Sequence, residues 1–296
     1  MTKELRVSVW GGVTLIVILL LAVSPGCRKL PNGGVPFYLR VDSPTIVDDG
    51  LVGTINWKMP DVYVTVNNTD LGGYQMPVNV PVLCDGEARM IVSGGIYENG
   101  VISQRAEYPF WRPDTFTISD PVGGAVYVHH PVYHYYADVK HSILSDFNSS
   151  TGFDTAMHLV RGLDADSISG KVWQCGVISL GATDSVKGSL ETLTAADLIL
   201  TNGRQAYLEF NFKQSGTSQA VSFDVGLRGT TTTGVVTDNT VLTIFPANYW
   251  KKTYIDFSTF IGNNYGSNFQ VYFVGYNSSG APVDFYFDDV KLLYFQ

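Results

Sequence analysis

Three histidines, His129, His130 and His134, stand close together in the chain, and imidazole is the commonest transition-metal ligand. On an extended strand the pattern does not close around one ion. His130 and His134 share a face but lie ~13 Å apart at ~3.3 Å per residue, and His129 points the other way. Only a tight turn at Pro131 could gather them; the alternative is a set of surface or interdomain histidines. Asp288 and Asp289 raise a second possibility, since they interrupt the alternation of Phe285 and Phe287 before Val290 and Leu292 resume it. Such a phase slip predicts a β-bulge. Neighbouring strand residues face opposite sides, so the two acids cannot form the opposed carboxylate pair of a glycosidase, which needs a separation of about 5.5 Å or about 6.5–9.5 Å. No G-x-S-x-G, H-E-x-x-H or Cys/His constellation is present either, and the sequence is read as that of a non-enzyme. The third kind of chemistry is stacking. Trp173, Tyr249, Trp250, Tyr265, Tyr272 and Tyr276, with Asn263, Asn264 and Asn277 near them in sequence, offer ring faces and amides of the sort a sugar needs. Trp250 opens a predicted strand and has a core role as its alternative, whereas the alternation of Tyr272 and Tyr276 with Val271 and Phe273 predicts one face carrying exposed tyrosines.

The elements that must position these groups are strands. FYLRVDS, VYVTVNN, VNVPVLC and ARMIVSG in the first half, and YLEFNFK, VSFDVGL and NFQVYFVGY in the second, place apolar residues at every second position. Asp85-Gly86 and Asn99-Gly100 supply the positive φ that tight hairpins require, and each predicts a two-stranded ribbon. Composition agrees: 45% hydrophobic and only 16% charged residues, with 17 Tyr and 16 Phe, suit half-buried pleated surfaces. About 270 residues follow Cys27, more than one core usually holds, so two domains are expected. A formal charge of −8 with no run of clustered Lys and Arg excludes nucleic acid as a partner. Cys84 and Cys175 lie far apart in the chain and read as two buried free thiols, since a bridge would need their Cα atoms within about 6 Å. No Cys/His spacing suggests zinc.

The amino end has its own signature. Lys3 and Arg6 precede an apolar run of 11 residues, Val13–Val23, the length of an export signal and too short for the ~20 residues of a membrane span. Pro25 between Ser24 and Gly26, followed at once by Cys27, resembles the lipobox of Gram-negative lipoproteins, with Ser24 standing where that family has leucine. The resemblance implies diacylation of Cys27 as the mature N-terminus and a membrane tether through acyl chains. RKLPNGGV, after the cysteine, reads as a polar linker.

PVLCDGEARMIVSGGIYENGVISQRAEYPFW, residues 81–111, is similar to a segment of uncharacterised Gram-negative surface lipoproteins that share a P-V-L-x-x-G hairpin, a G-I-x-x-N-G turn and an R-x-x-Y-P-F ending, met here by Arg105, Tyr108, Pro109 and Phe110. That family carries no known activity, and the ending reads as a strand leaving the sheet with aromatics filling the sandwich end. SDFNSSTGFD from Ser145 and DFYFDDVKLLYF from Asp284 resemble the first and last strands of carbohydrate-binding-like, galactose-binding-like jelly rolls. That resemblance implies adjacent first and last strands. It also implies a structural calcium at Asp288, with oxygen ligands from Asp146, Asn148 and Asp154.

The expectation is therefore an all-β chain of two β-sandwiches: a signal peptide over 1–26, a tether over 27–35, an immunoglobulin-like or transthyretin-like domain over 36–137, and a jelly roll over 138–296. It would be lipid-anchored in the cell envelope, at the outer membrane, and bind a glycan through the jelly roll or, alternatively, a cell-surface protein in adhesion or envelope assembly.

Overall fold

The computed structural model describes residues 34–47, 50, 57–147, 153, 157–161, 174–189, 193–194, 205–230, 233–262 and 268–295. The N-terminal strands are β1 (Phe37–Val41), β2 (Thr45–Ile46), β3 (Asp61–Val66), β4 (Thr69–Gln75), β5 (Val78–Val82), β6 (Ala88–Tyr97), β7 (Arg105–Glu107), β8 (Trp111–Arg112), β9 (Asp114–Ile118), β10 (Val126–His129) and β11 (Val132–Tyr135). The C-terminal strands are β12 (Val139–Ser145), β13 (Met157–Arg161), β14 (Gln174–Leu180), β15 (Ser185–Ser189), β16 (Leu193–Thr194), β17 (Ala206–Gln214), β18 (Val221–Thr230), β19 (Val236–Ile244), β20 (Lys251–Asp256), β21 (Asn268–Asn277) and β22 (Val283–Phe295), with one short helix, α1 (Ser258–Gly262). The chain is all-β, as its alternation predicts. None of the described helices is long and apolar enough to cross a membrane.

In the N-terminal body a sheet ordered β10-β1-β5 faces one ordered β4-β3-β6-β7, with β9 also on β6. Period two decides which side chains meet between them: Phe37, Leu39 and Val41 from β1 and Val80 and Val82 from β5 pack against Val62, Val64, Met90 and Val92. Each such burial contributes roughly 1.5–3 kcal/mol. The two predicted ribbons fare differently. Asn99-Gly100, both at positive φ, closes the antiparallel β6–β7 pair. Asp85-Gly86 does not close a ribbon: β5 pairs with β1, β6 with β3 and β9. Gly86 still takes φ +68°, but the turn carries the chain from one sheet to the other because both flanking strands must face the shared core. The tight hairpin is β3–β4, where Asn67 and Asn68 both take positive φ, the geometry of a type I′ turn.

In the C-terminal body a sheet ordered β13-β14-β22-β17-β20, with β12 on β22, lies over one ordered β15-β21-β18-β19. The layer between them is aromatic: Phe210, Phe212, Phe223, Phe273, Phe285 and Phe287 contact one another edge to face or tilted. The first and last strands of this half are neighbours, β12 running antiparallel to β22 from Val139 opposite Phe295. The expected bulge is also present. Asn211 pairs with Asp288 and Glu209 with Lys291, so β22 holds one residue more than β17 across the same span, and Asp289 takes φ +48°. The extra residue resets parity: Phe285 and Phe287 point into the core before it, and Val290, Leu292 and Tyr294 after it.

β17 almost throughout, and β22 from Val290 to Tyr294, are buried on successive residues, which one core face cannot explain. Their other face is covered by the N-terminal body. Tyr207, Tyr254 and Leu293 from the six-stranded sheet share a cluster with Tyr108, Phe110, Trp111, Tyr133 and Tyr135. The two halves therefore meet through an aromatic seam.

Candidate binding site between the two bodies

The R-x-x-Y-P-F ending is the fastener of this seam. Arg105 Nη1 donates to Asp61 Oδ1 at 2.9 Å, anchoring the strand end. The Tyr108 hydroxyl donates to Glu209 of the other body, and both residues are buried. Phe110 lies edge-on to Tyr207 at 5.8 Å and tilted on Phe295 at 4.9 Å. Glu209 also meets Lys252 Nζ at 3.1 Å and Lys291 Nζ at 3.6 Å. Burial alone would push the Glu209 carboxyl up; the two ammonium groups and the Tyr108 hydroxyl outweigh it and hold it below the usual carboxylate range. Lys291 moves the opposite way to a satisfied partner: burial, together with the Lys252 charge, lowers its pKa in spite of Glu209. Lys291 is the more distant of the two ammonium groups from Glu209, and Glu209 and Asp289 together do not offset its burial and the Lys252 charge. Burial, reinforced by Glu209, raises the Tyr108 hydroxyl well above its ordinary value, so it stays a donor.

Beside the seam the Asn99-Gly100 turn leans onto β20. Asn99 N–H donates to the Tyr254 carbonyl at 2.7 Å, Asp256 N–H to Asn99 Oδ1 at 3.3 Å, and the Tyr207 hydroxyl to Glu98 Oε1 at 2.5 Å. Lys58 is pinned from the same side, its N–H donating to the Tyr254 hydroxyl at 2.9 Å and its carbonyl accepting from that hydroxyl at 3.2 Å. Between this turn and the β19–β20 connection opens a cleft of about 380 Å³, within the range of small-ligand sites. Its walls include Lys58, Asn99 and Ile102 from one body and Thr243, Phe245, Tyr249 and Lys251 from the other. Phe245 is 63% and Tyr249 59% exposed, and Lys251 Nζ stands 5.2 Å from the Tyr249 ring centre. Of the aromatic candidates among the described residues, Tyr249 is the one this cleft collects. Phe245, Lys58 and Lys251 were not singled out, and Asn99 only as a turn residue; the signal available was the pair Lys251-Lys252 beside two aromatics in an otherwise acidic chain.

The outer face of the β15-β21-β18-β19 sheet carries the other tyrosines, and only half of that expectation holds. Tyr276 is 41% exposed, but Tyr272 is 3% exposed. The reason is Gly226, its cross-strand partner: with no side chain there, the Tyr272 ring lies close over the backbone, and a Cβ would sit 2.2 Å from its Cζ. The Tyr272 and Thr240 hydroxyls are hydrogen-bonded at 3.1 Å. Polar groups on this face satisfy one another, Arg228 gripping Asp238 through Nε at 2.7 Å and Nη2 at 3.0 Å and Thr243 donating to Asp224 at 2.6 Å. Asn277 is not a surface amide but a buried turn brace, donating to the Gly181 and Ala281 carbonyls.

Trp250 is neither core nor part of the cleft. Half-buried on the six-stranded sheet's outer side, it stands 6.5 Å from Tyr286, with Lys213 Nζ 4.8 Å from its ring centre. Trp173, Tyr265, Asn263, Asn264, Asn148, Asp154 and Cys27 lie outside the described residues. Asp288 is buried, its Oδ1 accepting from Asp289 N–H at 2.9 Å, and Asp146 is half-buried; among the described residues no group of three His, Cys, Asp or Glu is arranged to hold a metal ion. The histidines take separate partners: His129 Nε2 pairs with Asp114 at 2.9 Å and its ring stacks on Phe116, while His130 Nδ1 pairs with Asp42 at 2.8 Å. Cys84 and Cys175 are buried free thiols.

No protein-family model and no curated protein matches the chain. Solved structures that match include one reported for carbohydrate-binding modules of the β-sandwich superfamily, 10% identical over 86% of this chain and 97% of that one, with a TM-score of 0.38. Another is a family 11 carbohydrate-binding module from Clostridium thermocellum in complex with a β-1,3-1,4-mixed-linked tetrasaccharide, 18% identical over 51% and 94%, with a TM-score of 0.33. A third is a xylan-binding domain from Paenibacillus barcinonensis, 13% identical over 52% and 96%, with a TM-score of 0.36.

Proposed function

We propose that the chain is an exported, lipid-anchored protein that binds a glycan, without covalent chemistry, in the cleft between its two bodies. One observation carries this reading: the cleft sets the exposed rings of Phe245 and Tyr249 beside the Asn99 side-chain amide and the Lys251 ammonium, the mixture of stacking face and polar edge that a sugar ring requires. The outer sheet face is the weaker candidate, because Tyr272 is covered and Arg228, Asp238, Asp224 and Thr243 already bond within it. The absence of Asp and Glu among the described residues that line the cleft supports binding over hydrolysis, which needs two carboxyl groups flanking the scissile bond. The lipid anchor rests on the Cys27 signature alone and is tested by incorporation of labelled fatty acid, lost in Cys27→Ser.

A second reading has its own observation. Val126 and Val128 are exposed on β10, an edge strand of its sheet, with Val122 exposed nearby in sequence, and exposed apolar edge strands favour pairing with another protein. Presenting the full chain in detergent to a glycan array separates the two. Retention of defined glycans, lost in Tyr249→Ala, supports the cleft; no retention by the folded wild type rejects glycan binding and leaves the edge strand as the working surface.

A further inference from the structure

The cleft is a cationic recess on an acidic protein. Its described lining includes Lys58, Lys251 and Lys252 and no carboxylate, although the chain's formal charge is −8. The three lysines are not equivalent. Lys252 is buried and engaged by Glu209. Lys58 is exposed and Lys251 half-buried, and among the described residues neither has a carboxylate within ion-pair distance. They come from opposite walls: Lys58 is held through its backbone by the Tyr254 hydroxyl, while Lys251 begins β20 and places its ammonium by the Tyr249 ring. A recess whose uncompensated charges share one sign concentrates ligands of the other.

We infer that the cleft selects saccharides bearing an acidic group, with Tyr249 and Phe245 against the sugar ring and Lys58 and Lys251 on a carboxylate or sulfate substituent. This rests on the reading of the cleft as a glycan site. An ammonium beside an aromatic face is placed for it: a ring lying on Tyr249 brings a charged substituent toward Lys251, and Lys58 meets it from the other wall. Hydrogen bonds to a charged group are stronger than neutral ones, and the glycan's negative charge is repelled elsewhere on the acidic surface, which favours this one orientation.

The test uses the full chain in detergent on an array holding uronate-containing, sialylated, sulfated and neutral glycans, followed by titration of the best acidic glycan and its charge-free counterpart. The expected result is a preference of about tenfold or more for the acidic member at low salt, shrinking as ionic strength rises. Lys58→Gln and Lys251→Gln should each erase several-fold of that preference, weakening the acidic member more than its neutral counterpart; Lys140→Gln, exposed on β12, should change neither. The uronate and sulfate arms tell which anion is read. Equal affinity for acidic and neutral members, with both still lost in Tyr249→Ala, overturns the charge selection and leaves the glycan site standing. Failure of every glycan to bind the folded chain overturns both.

Discussion

Tyr108 and Glu209, 101 positions apart in the chain, share a buried hydrogen bond across the seam between the two bodies. The bond ties the R-x-x-Y-P-F ending to the middle of β17 and fixes the Asn99-Gly100 turn, which joins the β6–β7 pair just before that ending, against β20. Cleft geometry thus depends on a contact in which the cleft residues take no part.

Breaking that contact should be costly in an asymmetric way. Glu209→Gln removes the carboxylate that the buried Lys252 and Lys291 share, leaving Lys291 only the weaker influence of Asp289, a loss of about 3–5 kcal/mol. Tyr108→Phe removes one donor from a carboxylate that keeps both lysines, and costs about 1–3 kcal/mol. Urea unfolding of the two variants measures the difference; equal midpoints would contradict the charge arrangement.

Stability should also fall in acid for a specific reason. The folded-state pKa of Glu209 is held below the ordinary glutamate value of 4.5, so its contribution is fully present above about pH 4.5 and is lost as pH drops through the lower folded value. Thermal unfolding followed from pH 6 downward should show this limb in the wild type and a flatter one in Glu209→Gln.

Adjacent aromatics should behave differently at the cleft. Tyr249→Ala and Phe245→Ala remove exposed contact rings and should weaken glycan binding by at least ~30-fold, the loss of about 2 kcal/mol expected of an aromatic anchor, with the melting temperature nearly unchanged. Trp250→Ala should leave affinity alone, since that ring faces Tyr286 and Lys213. Titration calorimetry on the three variants decides it.

The cradle under Tyr272 gives a fourth expectation. Gly226→Ala places a methyl 2.2 Å from Tyr272 Cζ and 2.5 Å from the Asn239 carbonyl oxygen, and the backbone atom cannot swing away. Overpacking of this kind costs about 1–3 kcal/mol. Gly216→Ala, where the added methyl meets nothing within 4 Å, is the neutral control in the same melting experiment.

Much of this was legible in the sequence because it is local. Alternation alone assigned the strands, the slip at Asp288-Asp289 announced the bulge, and Asn99-Gly100 marked a true hairpin. Where sequence reasoning failed, the deciding partner was distant. Asp85-Gly86 has the chemistry of a ribbon turn, yet the pairing of β5 with β1 sends the chain to another sheet. Tyr272 alternates correctly with its neighbours, but its burial follows from a glycine 46 positions upstream. The cleft's positive charge is invisible as a run, since Lys58 and Lys251 become neighbours of one space only after the two bodies join.

That joining has a further consequence for how the polypeptide can be handled. Because β17 and the last part of β22 are covered on both sides, a cut between Tyr136 and Val139 would strip Tyr207, Tyr254 and Leu293 of their cover on one fragment and Phe110, Trp111 and Tyr133 on the other. Each fragment would then carry an oily flank with two ammonium groups or an orphaned phenol at its centre. Separately produced halves should therefore self-associate rather than behave as modules, a difference that their elution volumes on a sizing column would reveal.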